Sequence, residues 1–130
     1  MHLPKLIAAV VVFLLICGCT TTARGGDSSP VITPETAAIA DIITTDIALQ
    51  QGARETNPLG VGGALVAKGV YLFVLRPTLT ESQRKDSDQL ASSVWIGAAA
   101  NNLVVILLPG IPFLALAVGL STGWTIYHNY

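Results

Sequence analysis

Residues 90–108, LASSVWIGAAANNLVVILL, run for nineteen positions without a charged side chain. Wound as an α-helix they measure about 29 Å, close to the thickness of a bilayer's hydrocarbon core. Ser93, Gly97 and Asn101 recur every four residues and form one small, polar ridge, with Asn102 on the adjoining one. Side-chain amides in lipid need partners, so this ridge is expected to face other helices. The rest of the chain has the same character. Of 130 residues, 52% are apolar and only 12% charged, about half the charged share of ordinary soluble proteins. Mean hydropathy is +0.62. Seven basic against eight acidic side chains leave no polycation to neutralise phosphates, which excludes nucleic acid as a partner. Disorder, collagen and a disulfide scaffold are excluded by composition.

Upstream of this run, residues 76–89, RPTLTESQRKDSDQ, hold three basic and three acidic side chains with no apolar period, and read as a water-exposed loop. Before it, Leu59 to Leu75 is apolar except for Lys68, about 26 Å of helix. Asn57 caps that helix and Pro58 takes the first position, where no amide donor is needed. Its small residues repeat every four positions, Gly60 and Ala64 ahead of Lys68, and Gly63 and Ala67 ahead of Tyr71, spacing that lets a neighbouring helix come close. Thr33-Pro34-Glu35 starts an earlier helix by the same chemistry, and Gly52 stops it. On that first helix Asp41 and Asp46 are about 140° apart and cannot share a face, whereas Asp41 lines up with Thr45 one turn on. Downstream, Pro109-Gly110-Ile111-Pro112 turns the chain back into a last helix, Phe113 to about Tyr127. Ala115, Gly119 and Gly123 form its helix-packing ridge, suited either to packing within the monomer or to a homodimer. Trp124, Tyr127 and Tyr130 cluster where an interfacial aromatic belt would sit.

At the N-terminus Lys5 precedes an eleven-residue apolar run, Leu6 to Ile16, too short for a permanent span. The run ends Ile16-Cys17-Gly18-Cys19, which resembles the bacterial lipobox. The resemblance implies a lipoprotein: residues 1–18 are a signal peptide, and Cys19 becomes the N-terminus carrying covalent diacylglycerol and an acyl chain such as palmitate. The alternative is an ordinary secretory signal or an uncleaved anchor. Residues 19–35 then form a flexible tether, and residues 36–130 a helical membrane domain. Removing the signal takes away Lys5 and Cys17, leaving six basic and eight acidic side chains and no disulfide. The location expected is the bacterial cell membrane, with the anchored N-terminus on the extracytoplasmic side and membrane lipid as partner.

Asp41, Thr45, Leu49, Gly52, Glu55, Asn57 and Pro58, read together, resemble the conserved segment of a family of small prokaryotic integral membrane proteins of unknown function. The resemblance covers about eighteen residues and implies a compact helical domain with its first segment embedded; it supplies no reaction. The fold expected is all-α, a small membrane bundle of three or four short helices. Counting positive charges on each side favours three spans, with residues 36–51 at the outer interface, by a margin of one residue.

Asp41, Thr45, Glu55, Asn57, Lys68, Asn101 and Asn102 are the candidate polar cluster. Capping and helix packing account for them adequately. Gathered round one pocket they would instead let Asp41 and Lys68 form an intramembrane ion pair, although Lys68 alone can extend to the headgroups. No nucleophile elbow, P-loop or dinucleotide fingerprint occurs, and His128 has no second metal ligand at helical spacing. No cofactor beyond the Cys19 lipid and no metal is expected. The function expected is a non-catalytic structural or partner-binding envelope component, bound to a membrane-protein partner or to a second copy. The rivals are an ion or solute permeation element using Asp41, Lys68, Asn101 and Asn102, and a membrane enzyme using Asp41 and Glu55.

Overall fold

The structure is a computed structural model that describes residues 32–54 and 59–130. The described residues are helical and contain no strand. Helix α1 spans Pro34–Gln50. Helix α2 spans Gly60–Val70 and continues through a π-helical turn, Tyr71–Leu75, and a 3₁₀ turn, Arg76–Thr78. Helix α3 spans Glu81–Leu107, and α4 spans Pro112–His128. The all-α architecture with four helices agrees with the sequence reading, while the N-terminal signal, the lipobox and the Asn57-Pro58 helix start lie outside the described residues.

Local chemistry sets the ends of the elements. Thr33 caps α1 by accepting the Thr36 N–H at 3.3 Å, with Pro34 in the first turn, and Gly52 leaves the helix at φ +90°. Residues 81–89, expected in a loop, are instead the first turns of α3. A capping box starts them: Thr80 Oγ1 accepts the Gln83 N–H, and the Gln83 side chain accepts the Thr80 N–H at 3.1 Å. The helical winding of α2 likewise runs past Arg76-Pro77, because proline is tolerated in the first turn of the 3₁₀ segment.

The helices alternate in direction. Glu35, Arg76 and Asp88 meet at one pole, and the α3–α4 turn containing Gly110 (φ +101°) lies at the other. Helix α1 runs along α3 within the bundle, Ala37 and Ala40 packing with Ile96 and Ala99, and Ala48 with Leu103 and Ile106. Asp41 and Thr45 hydrogen-bond Asn102 of α3, so the carboxylate has partners within the bundle and its burial needs no placement of α1 outside.

The distribution of side-chain sizes is inverted relative to a water-soluble bundle. The buried positions of α1 are Pro34, Ala37, Ala38, Ala40, Asp41, Thr44 and Ala48, while Ile39, Ile42 and Ile43 face outward. Of α4 only Ala115 and Gly119 are buried, and Phe113, Leu116, Leu120 and Trp124 are exposed. Two helical stretches, Gly60–Thr78 and Glu81–Leu107, are long and apolar enough to cross a membrane. The first has only 6% of its most apolar window buried.

Candidate functional site

Midway along the bundle, α1 presents Asp41, Thr44 and Thr45, α2 presents Lys68, and α3 presents Asn102. Lys68 Nζ lies 2.9 Å from Asp41 Oδ2, with both side chains about nine-tenths buried (11% and 10% exposed). The other carboxylate oxygen accepts from Asn102 Nδ2 at 3.2 Å and from Thr45 Oγ1 at 3.4 Å. Asn102 Nδ2 also reaches Thr45 Oγ1 at 2.8 Å and Thr44 Oγ1 at 3.4 Å. Thr44 donates back to the Ala40 carbonyl at 2.9 Å, so its hydroxyl is satisfied within its own helix. The Lys68 ammonium also stands 5.7 Å from the centre of the Trp95 ring, a cation–π contact. A buried carboxylate and ammonium are thus matched in charge and surrounded by amide, hydroxyl and ring partners, the condition under which burying both is tolerable.

An open cavity of about 740 Å³ adjoins this cluster, between α1, α2 and α3. Asp41, Thr45, Lys68, Asn101 and Asn102 all line it. Asp46 lines it too, nearer the Gly110 pole and accepting from Gln50 Nε2 at 2.6 Å, so the cavity is wide enough to meet both carboxylates, which helical spacing sets on different faces of α1. Asn101, unlike Asn102, has no hydrogen-bond partner among the described residues. Of the expected cluster, the structure therefore brings together Asp41, Thr45, Lys68 and Asn102, places Asn101 beside them without a bond, and leaves Glu55 and Asn57 outside the described residues, as it does Cys19.

A second polar cluster was not read from the sequence. Arg76 grips Asp88 through three bonds, Nε to Oδ1 at 2.8 Å and to Oδ2 at 3.0 Å, and Nη2 to Oδ2 at 2.9 Å. Its Nη1 pairs with Glu35 of α1. Tyr71 donates to Asp88 at 2.7 Å, the Ser87 hydroxyl lies 3.0 Å from its phenol oxygen, and its ring meets Trp95 edge-on at 5.6 Å. The charge-rich 76–89 stretch gave a partial signal in its three basic and three acidic residues, but local spacing does not say that Arg76 reaches across to Glu35. At the same pole burial pushes the Tyr130 phenol above its ordinary pKa.

The ridge of α4 packs inside the monomer. A Cβ on Gly97 would lie 2.7 Å from the Gly119 carbonyl oxygen, and one on Gly123 would lie 2.9 Å from that of Ser93. On the side toward the Gly110 pole, Ala115 is buried. The expected small ridges of α2 behave differently: a Cβ at Gly60 would meet nothing within 4 Å, and one at Gly63 would lie 2.7 Å from the Leu59 side chain at the start of the same helix, with no atom of another helix near either; Gly62 and Gly69, off those ridges, are likewise open.

Comparison of the chain with protein-family models, curated proteins and solved structures finds no match in any of the three.

Proposed function

We propose that the protein is an integral membrane protein of a bacterial envelope, further anchored by lipid on Cys19, that acts by packing and partner binding without catalysis. One observation carries this reading: on three of the four helices, α1, α2 and α4, large apolar side chains point outward and the buried ones are small or polar, the large apolar side chains that the helices bury coming from α3. Phe73 is 80% exposed, Phe113 85% and Trp124 68%. In water each such side chain forgoes about 1.5–3 kcal/mol of burial. Against hydrocarbon the arrangement is unremarkable, because close helix packing there uses small residues. The Asp41 carboxylate is engaged by Lys68, Thr45 and Asn102, which favours a structural role over acid–base chemistry.

Washing membranes with alkaline carbonate tests the embedding. The protein is expected to stay in the pellet and to be released by detergent, and a monodisperse product in detergent-free supernatant overturns the reading. Radiolabelled palmitate tests the anchor, entering the wild-type chain but not Cys19→Ser; label on the variant removes the lipoprotein part.

The cavity beside Asp41 and Lys68 favours permeation as the second reading. It requires Asp41→Asn or Lys68→Ala to abolish an ion flux in vesicles while insertion and abundance persist. Parallel losses of folding and flux return the pair to a structural role.

A further inference from the structure

The cleft between α1, α2 and α3 has a direction. Its lining reaches Arg54 and Pro112 at the Gly110 pole and extends to Asp41 on α1, Lys68 on α2 and Ala98 on α3. Among the described residues nothing nearer the Arg76 pole lines it. From Gln50 to Asp41 that is about 14 Å of helix, roughly half a bilayer core. Beyond its floor the bundle closes: Ala37 and Ile96 are buried together, and the Trp95 ring stands beside Lys68.

The floor and wall offer hydrogen bonds that the described residues leave unused. Lys68 has three N–H donors, of which Asp41 takes one, and the ammonium stands 5.7 Å from the Trp95 ring centre. Asn101 lines the cleft with an amide bonded to nothing among the described residues. Hydrocarbon cannot satisfy these groups, whereas water or a polar solute can. Among the described residues the charged members of the lining are Asp41, Asp46, Lys68 and Arg54, two of each sign, so their formal charges cancel.

We propose that this cleft is a water-filled vestibule, open at the Gly110 pole and closed halfway through the bundle, that admits small hydrogen-bonding solutes of no net charge to the Asp41–Lys68 pair. The proposal rests on the membrane reading, and the test separates the two. Single cysteines are placed in the full-length chain carrying Cys17→Ser and Cys19→Ser. Ala64→Cys and Ala98→Cys report the cleft, Gly110→Cys and Ser82→Cys the two poles, and Leu120→Cys the outer surface. Sealed vesicles of each orientation are treated with membrane-impermeant methanethiosulfonates, one cationic and one anionic.

The expected pattern is labelling of Ala64→Cys and Ala98→Cys from the same side as Gly110→Cys, labelling of Ser82→Cys only from the other side, and silence at Leu120→Cys. After correction for intrinsic reactivity, the cationic and anionic reagents are expected to react within about threefold of each other, since a net charge would favour one by about tenfold or more. Labelling of both poles from one side overturns the membrane reading. Poles on opposite sides with both cleft cysteines unlabelled overturn the vestibule alone. Cleft labelling from both sides overturns the closed floor, and a tenfold preference for one charge overturns the neutral-solute class.

Discussion

The α3–α4 seam and the attachment of α2 join helices by opposite means. Along the seam, backbones touch: Gly97, Gly119 and Gly123 leave no room for a methyl group. Helix α2 instead meets the bundle through polar side chains, Lys68 on Asp41 at mid-length and Arg76 on Asp88 and Glu35 at one pole, while its glycines approach no other helix. Small-residue spacing alone therefore does not identify a packed face. On α4 the small residues meet the matching ridge of α3; on α2 similar spacing meets no helix, and the ion pairs carry the contact.

The largest effect is expected at the seam. Gly119→Val drives a branched side chain into the Gly97 carbonyl and the Asn101 Cβ, both under 3 Å from its first carbon. A loss of about 3 kcal/mol follows, read as a lower unfolding midpoint in detergent. Retention of full stability would show that the seam is looser than described.

Breaking the mid-length clasp comes next. Asp41→Asn withdraws the charge partner of Lys68 and is expected to cost about 2 kcal/mol, typical of hydrogen bonds to charged groups. Lys68→Met is expected to cost a similar amount, and the double variant less than the sum by about 1 kcal/mol or more. Strict additivity in the double-mutant cycle would mean that the two side chains do not interact.

At the Arg76 pole, Arg76→Lys keeps the charge but loses the fork that binds both Asp88 oxygens. The side chain is about a quarter exposed (27%), so a loss of only about 1 kcal/mol is expected. It should shrink in high salt, and a salt-independent loss would contradict the electrostatic account.

The smallest effect sharpens the contrast most. Gly69→Ala, with open space around it, is expected to stabilise by about 0.5 kcal/mol through helix propensity. Gly97→Ala, the same exchange on α3, is expected to destabilise. Equal signs would erase the distinction between the two regions.

What the sequence disclosed follows from the range of each interaction. Thr33-Pro34, Gly52 and the 109–112 break are local signals, and the helix ends fall where they indicate. The alignment of Asp41 with Thr45 is local as well, and the two side chains do bond. The start of α3 was also written locally, in Thr80 and Gln83, but the missing apolar period in the charged stretch obscured it. Asp88 is buried for a reason no local pattern contains, a guanidinium supplied twelve residues earlier that also holds Glu35, forty-one residues before it. Asn101 and Asn102 look equivalent in sequence. Their positions on the helix differ by about 100°, which turns only Asn102 toward the carboxylate.

The central claim is that the outer surface of α2 faces hydrocarbon. A nitroxide at Val66, which is 65% exposed, in protein reconstituted into liposomes, tests it by collision with dissolved oxygen and with a water-soluble nickel chelate. Frequent oxygen collisions with few nickel collisions are expected; the reverse order would place α2 in water and contradict the account.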